Sequence, residues 1–262
     1  MRSLLLCLLP LLADDQAANR FFDRIRFDKP DADSEEGRRI VALLLQKEHW
    51  TGAYRAIEEK FGSFFDDAEL SVDFNLEGEE LGRTEVRGRQ CRIGFNLKKL
   101  VEYRKTVEDL ERQKKEARGQ GKRMEFKVPP VQFDRIIYHE MTHVFQQGCE
   151  GPNWFVEGMA QLIGDDPVSM RAFAADGKPV KNIGVPISDR VEIYARGHTF
   201  WKWLDSVGSA RKTVELTVGK HQPWKDALVE ATGFTWETIL LMEQAWSKKE
   251  LQREPPPYRD GR

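Results

Sequence analysis

His139-Glu140-Met141-Thr142-His143 is the stretch on which the reading of this chain turns. It has the form H-E-x-x-H. Residues four apart share one face of an α-helix, so His139 and His143 can each point an imidazole at a single metal ion. Glu140 stands beside them, where a carboxylate can take a proton from a water activated by that metal. Phe133, Ile136, Ile137, Met141, Val144 and Phe145 give the segment a broad apolar surface. That pattern predicts a buried helix, opened by Pro129-Pro130. Buried without a metal, one acid and two histidines would be poorly satisfied.

A short break at Gly148 to Gly151 is followed by Trp154-Phe155-Val156-Glu157-Gly158-Met159-Ala160. Glu157 lies fourteen residues beyond His143. A second helix turning back on the first would offer it as a third ligand. Two histidines and a carboxylate, with a fourth position left for water, describe a catalytic rather than a structural zinc site. Asp165 and Asp166 are alternative third ligands, but they precede Pro167 in a loop-like stretch. A metzincin extension requires Gly and His three and six residues after the second motif histidine. Those positions hold Gln146 and Cys149, so that reading fails.

H-E-M-T-H followed by W-F-V-E-G-M-A resembles the gluzincin group of zinc metallopeptidases. The pattern is closest to small bacterial peptidase-MA-like, or zincin-like, proteins. The specific match covers about Ile136 to Ile163, with looser similarity to about Trp246. The resemblance implies Zn2+ held by His139, His143 and Glu157, with Glu140 as the general base and acid of peptide-bond hydrolysis. It implies a peptide or protein substrate. The fold it implies is an α+β zincin-like domain: a small mixed sheet, a central metal helix and a helical C-terminal half.

Two further roles come with the resemblance. A Tyr or His from a later helix stabilises the oxyanion in related families. Tyr194 and His198, four apart in Y-A-R-G-H-T-F-W-K-W-L, are the candidates, and Tyr194 is preferred. An edge strand beside the metal helix binds substrate by adding it as another strand, and Cys91 to Leu97 is the candidate for it. One departure stands out. Some gluzincins carry Asp four residues after the ligand glutamate, where it orients a histidine, and here that position is Gln161. The alternative function is therefore a catalytically inactive zincin-like protein that binds metal as a regulatory module. The intact Glu140 counts against it.

Composition sets the compartment and excludes some partners. Arg2 precedes the apolar run Leu4 to Leu12, and Ala13 offers a cleavage point before Asp14-Asp15. Residues 1–13 thus read as a signal peptide, and the mature chain as secreted or periplasmic. No later segment is long and apolar enough to span a membrane. A formal charge of −2 gives no reason to expect nucleic-acid binding. Cys91 and Cys149 remain after cleavage, either paired or as two buried thiols.

Along the mature chain, residues 14–35 read as a loosely packed lead-in. Ile40 to Lys60 reads as helical with a break near Thr51-Gly52 and a stop at Gly62. Together, 14–60 form an N-terminal helical segment packed on a metallopeptidase domain over 61–250. Leu70 to Leu76 and Cys91 to Leu97 alternate as half-buried strands, and Glu77 to Gly88 between them is turn-like with a short strand at Thr84 to Val86. Lys98 to Arg123 carries ten basic and five acidic residues, which reads as a solvated helix laced with ion pairs. Asp165 to Pro186 reads as a long loop, and Asp189-x-x-Glu192 as a capping box. Gly197 in the next helix suggests a close backbone approach. Three short helices follow, and 251–262 form a flexible proline-rich tail.

Overall fold

The computed structural model describes residues 16–30, 32, 34–62, 68–121, 133–147, 149–165, 170, 173–174, 176–177 and 179–252. The expected signal peptide over 1–13, Pro129-Pro130, Asp166 and residues 253–262 of the expected tail lie outside them, whereas Leu251 and Gln252, placed in that tail by the sequence, close a helix. The fold is mixed α+β, mostly helical with one small mixed sheet. The chain divides into two compact units, one of residues 1–102 with 133–148, the other of 103–132 with 149–262.

The first unit holds β1 (Arg26–Phe27), α1 (Glu35–Leu44), α2 (Lys47–Phe61), β2 (Glu69–Asp73), β3 (Gly82–Arg87), β4 (Gln90–Phe95) and the motif helix α4 (Phe133–Phe145). Helix α3 (Leu97–Gly119) begins here, and its later residues belong to the second unit. The sheet order is β1-β2-β4-β3; β2 runs parallel to β1 and β4, and β3 is antiparallel to β4. Ser34 caps α1 by accepting from the Gly37 amide at 2.9 Å. Gly62 ends α2 with φ 97°, the left-handed region that glycine enters freely.

In the first unit four expectations are corrected. Residues 14–35 are not merely a lead-in: 16–23 are helical and β1 joins the sheet. Phe21 packs at a tilt against Tyr54 with centroids 5.3 Å apart and Phe27 meets Trp50 edge-on at 5.5 Å, so aromatic burial orders this segment. The helical break falls at Leu45-Gln46, not at Thr51-Gly52. The helix runs on through Gly52, where a side chain would collide with the Tyr138 hydroxyl of α4: a Cβ would lie 2.4 Å from it. Glu77 to Gly88 contains a full six-residue strand rather than a short one. Finally, β4 lies inside the sheet between β2 and β3, so Cys91 to Leu97 is not an edge strand; β3 holds the edge beside α4. The full length of β3 was not legible because its residues, Gly-Arg-Thr-Glu-Val-Arg, are mostly exposed and lack apolar alternation.

The second unit holds α5 (Asn153–Gly164), α6 (Arg190–Ser206), α7 (Ala210–Val214), one π-helical turn (Glu215–Gly219), α8 (Trp224–Thr232) and α9 (Trp236–Gln252). α9 is a long helix rather than a short one. Asp189 caps α6 as the sequence predicts, accepting from the Glu192 amide at 2.9 Å. Gly197 makes the close approach expected of it. A Cβ there would lie 2.2 Å from the Trp154 carbonyl oxygen, and one at Gly158 would lie 2.3 Å from the Gly197 carbonyl carbon. Two glycines thus let the backbones of α5 and α6 touch. Trp154, Phe155, Phe200, Trp201 and Trp224 pack around that crossing, with the Trp201 indole donating to the Phe155 carbonyl at 2.7 Å. Among the described residues no helix is long and apolar enough to cross a membrane.

Both cysteines are free thiols. Burial pushes each of them up to about 11, against a lesser opposing hydrogen bond from Gln147 to Cys91 and one involving Thr217 at Cys149. The ordinary value is 9.0, so at pH 8 the reactive thiolate is scarcer by roughly 100-fold. Iodoacetamide is expected to modify Cys91 and Cys149 slowly in the native chain at pH 8 and rapidly in guanidinium. Peptide mapping by mass would check this, and rapid native labelling of either would contradict their burial.

Candidate metal centre

α4 turns Ile137, Met141 and Val144 fully into the core, and this anchors the phase of the helix. His139 and His143 then share a half-buried face one turn apart, with ring centroids 4.8 Å apart and the rings near perpendicular. Their Nε2 atoms face each other at 3.1 Å. Two imidazoles on one tetrahedral zinc, each with a Zn–N bond of about 2.05 Å, bring their nitrogens to roughly 3.3 Å. The pair therefore fits zinc closely in spacing.

The tautomer fits as well. His143 Nδ1 donates to the Gln146 side-chain oxygen at 2.8 Å. A proton on Nδ1 leaves the Nε2 lone pair for a metal. Gln146 thus orients His143 through Nδ1. The signal was available in the sequence as an amide three residues after the second motif histidine, on the same helix face. Gln161 itself is buried on α5, and its side-chain oxygen accepts no hydrogen bond among the described residues.

Glu140 is only 5 % exposed. Its Oε2 accepts from the Thr84 hydroxyl of β3 at 2.6 Å, and the same hydroxyl lies 3.1 Å from the Glu140 carbonyl oxygen. The sequence reading did not single out Thr84, because the contact spans 56 residues and joins two different elements.

The first unit thus brings together His139, Glu140 and His143. The remaining predicted residues stand in the second unit. Glu157 sits half-buried on α5, next to Gly158 at the α5–α6 crossing. Tyr194 is half-buried one turn before Gly197 on α6, with the Arg190 guanidinium 5.8 Å from its ring centroid. His198 follows Gly197 and is fully buried. Asp165, the alternative ligand, is exposed just past the end of α5 with φ 44°.

Comparison of the chain with protein-family models, with curated proteins and with solved structures finds no match in any of the three.

Proposed function

We propose that this chain is a zinc-dependent metallopeptidase of the gluzincin type, exported from the cell by residues 1–13. His139, His143 and Glu157 would hold the metal, Glu140 would move the proton, and Tyr194 would donate to the oxyanion. The observation that carries this reading is the pair of Nε2 atoms at 3.1 Å beside a buried glutamate on the same helix. The donor types also suit the reading: His139 and His143 come from α4, and the resemblance supplies Glu157 of α5 as the carboxylate. Neutral imidazoles and one carboxylate suit zinc, and three protein ligands leave a position for chemistry.

A bound zinc would supply Lewis acidity, polarising the scissile carbonyl and acidifying the attacking water. The chain's own groups supply the rest. Glu140 accepts the water proton during attack and delivers it to the departing amine. The Tyr194 hydroxyl serves as a hydrogen-bond donor to the oxygen that gains charge.

Metal content of the purified mature chain tests the ligand assignment. About one zinc per wild-type chain is expected from a mononuclear site of this kind, and Glu157→Ala is expected to lose most of it. Full zinc in the variant would move the third ligand to Asp165 or Asp166. No metal in either protein would end the proposal.

A further inference from the structure

We infer that strand β3 is the positioning element for Glu140: Thr84 anchors one carboxylate oxygen, and Gly82 keeps the space beside the other clear. The inference rests on the peptidase reading and goes beyond it by assigning separate roles to the two oxygens. Oε2 is the anchored atom, and Oε1 is the one that takes and returns the proton.

Alternation along a strand puts Gly82 and Thr84 on one face, with Arg83 and Glu85 on the other. The antiparallel register, with Gly82 opposite Phe95 and Thr84 opposite Ile93, fixes both residues against α4. The Thr84 hydroxyl reaches Oε2 at 2.6 Å, at the short end of the range for an O–H donor and an oxygen acceptor. It also lies 3.1 Å from the main-chain oxygen of the same glutamate. One hydroxyl therefore ties the end of the side chain to its own backbone. That removes rotamer freedom which an untethered glutamate would keep.

Gly82 acts on the other oxygen. A Cβ at this position would lie 2.9 Å from Oε1 and 3.1 Å from Cγ of Glu140. Any side chain there would press on the carboxylate and displace it from this position. Its φ is not in the left-handed region, so turn geometry does not require glycine here. Clearance at Oε1 does.

The step balances without further reactants. A water O–H bond breaks and its proton passes to Oε1, while the water oxygen bonds to the scissile carbonyl carbon. On collapse the C–N bond breaks and the proton passes from Oε1 to the amine nitrogen. Thr84 keeps its own proton throughout, so it is a positioning residue.

The test compares wild type with Thr84→Val, Thr84→Ser and Gly82→Ala on a quenched-fluorescent peptide library, with zinc content and melting temperature measured on each. Thr84→Val is expected to lower kcat by about 10- to 100-fold, the scale of an ångström misplacement, with KM and zinc content unchanged. Thr84→Ser is expected to restore kcat to within a few-fold, which a purely structural role of the threonine methyl would not produce. Gly82→Ala is expected to lower kcat in the same way. Should Thr84→Val fail to fold, Thr84→Ala carries the comparison, since it also removes the hydroxyl. Wild-type kcat in a folded, zinc-loaded Val or Ala variant would overturn the role of Thr84 and leave the peptidase reading standing. A wild type that holds zinc yet cleaves nothing in the library would overturn both.

Discussion

Glu140→Gln is expected to lower peptide turnover by about 10²- to 10⁴-fold, the usual contribution of a positioned general base. Zinc content should stay at the wild-type level, because Glu140 is not among the proposed ligands. The substitution suits the question. Glutamine has the same length, and its side-chain oxygen can still accept from the Thr84 hydroxyl that now reaches Oε2 at 2.6 Å. The buried site keeps its shape and loses only the ability to hold a proton at neutral pH. A zinc-loaded variant with wild-type turnover would remove Glu140 from the chemistry. A zinc-loaded wild type without turnover would favour the non-catalytic metal-binding alternative.

The second large effect lies in the helical C-terminal half and concerns stability. Arg196 on α6 and Glu243 on α9 are both fully buried. The guanidinium Nη2 donates to both carboxylate oxygens at 2.7 and 2.8 Å, Ser247 donates to Oε1 at 2.5 Å, and Arg196 Nη1 donates to the Thr199 hydroxyl at 3.1 Å. Removing one member strands the other charge in a dry core, which costs about 3–5 kcal/mol. Glu243→Ala is thus expected to consume a large share of a typical stability of about 5–15 kcal/mol. Replacing both partners by apolar residues of similar volume, Arg196→Met with Glu243→Leu, should recover most of the loss. Urea unfolding midpoints would show it. A Glu243→Ala loss under about 1 kcal/mol, the level of an exposed pair, would mean that water reaches this network.

Local chemistry explains what could be read in advance. The motif helix, the Glu157 helix, the Asp189 cap, the Gly62 stop and the charged helix each depend on residues within a turn or two of one another. Spacing of three and four, a capping oxygen or a glycine is visible in the chain as written. Gly197 was legible for the same reason, since a glycine amid bulky helical residues marks a close approach.

Contacts between distant residues were not legible. β3 is polar and exposed along most of its length, so pairing with β4 rather than burial makes it a strand. Its position at the sheet edge displaced Cys91 to Leu97 from that role. Gln146 was within reach of a helical argument, but its amide becomes meaningful only when His143 Nδ1 is seen to face it. Thr84 and Gly82 lie more than fifty residues before Glu140, and nothing in their neighbours points to a carboxylate. By itself, the sequence determined which side chains are available for metal and proton chemistry and which helices carry them, because helical periodicity is a local property. Tertiary structure alone decided which strand cradles Glu140 and which amide faces His143 Nδ1. Those depend on sheet order and on the rotation of α4 against it, and both are set by packing across the chain.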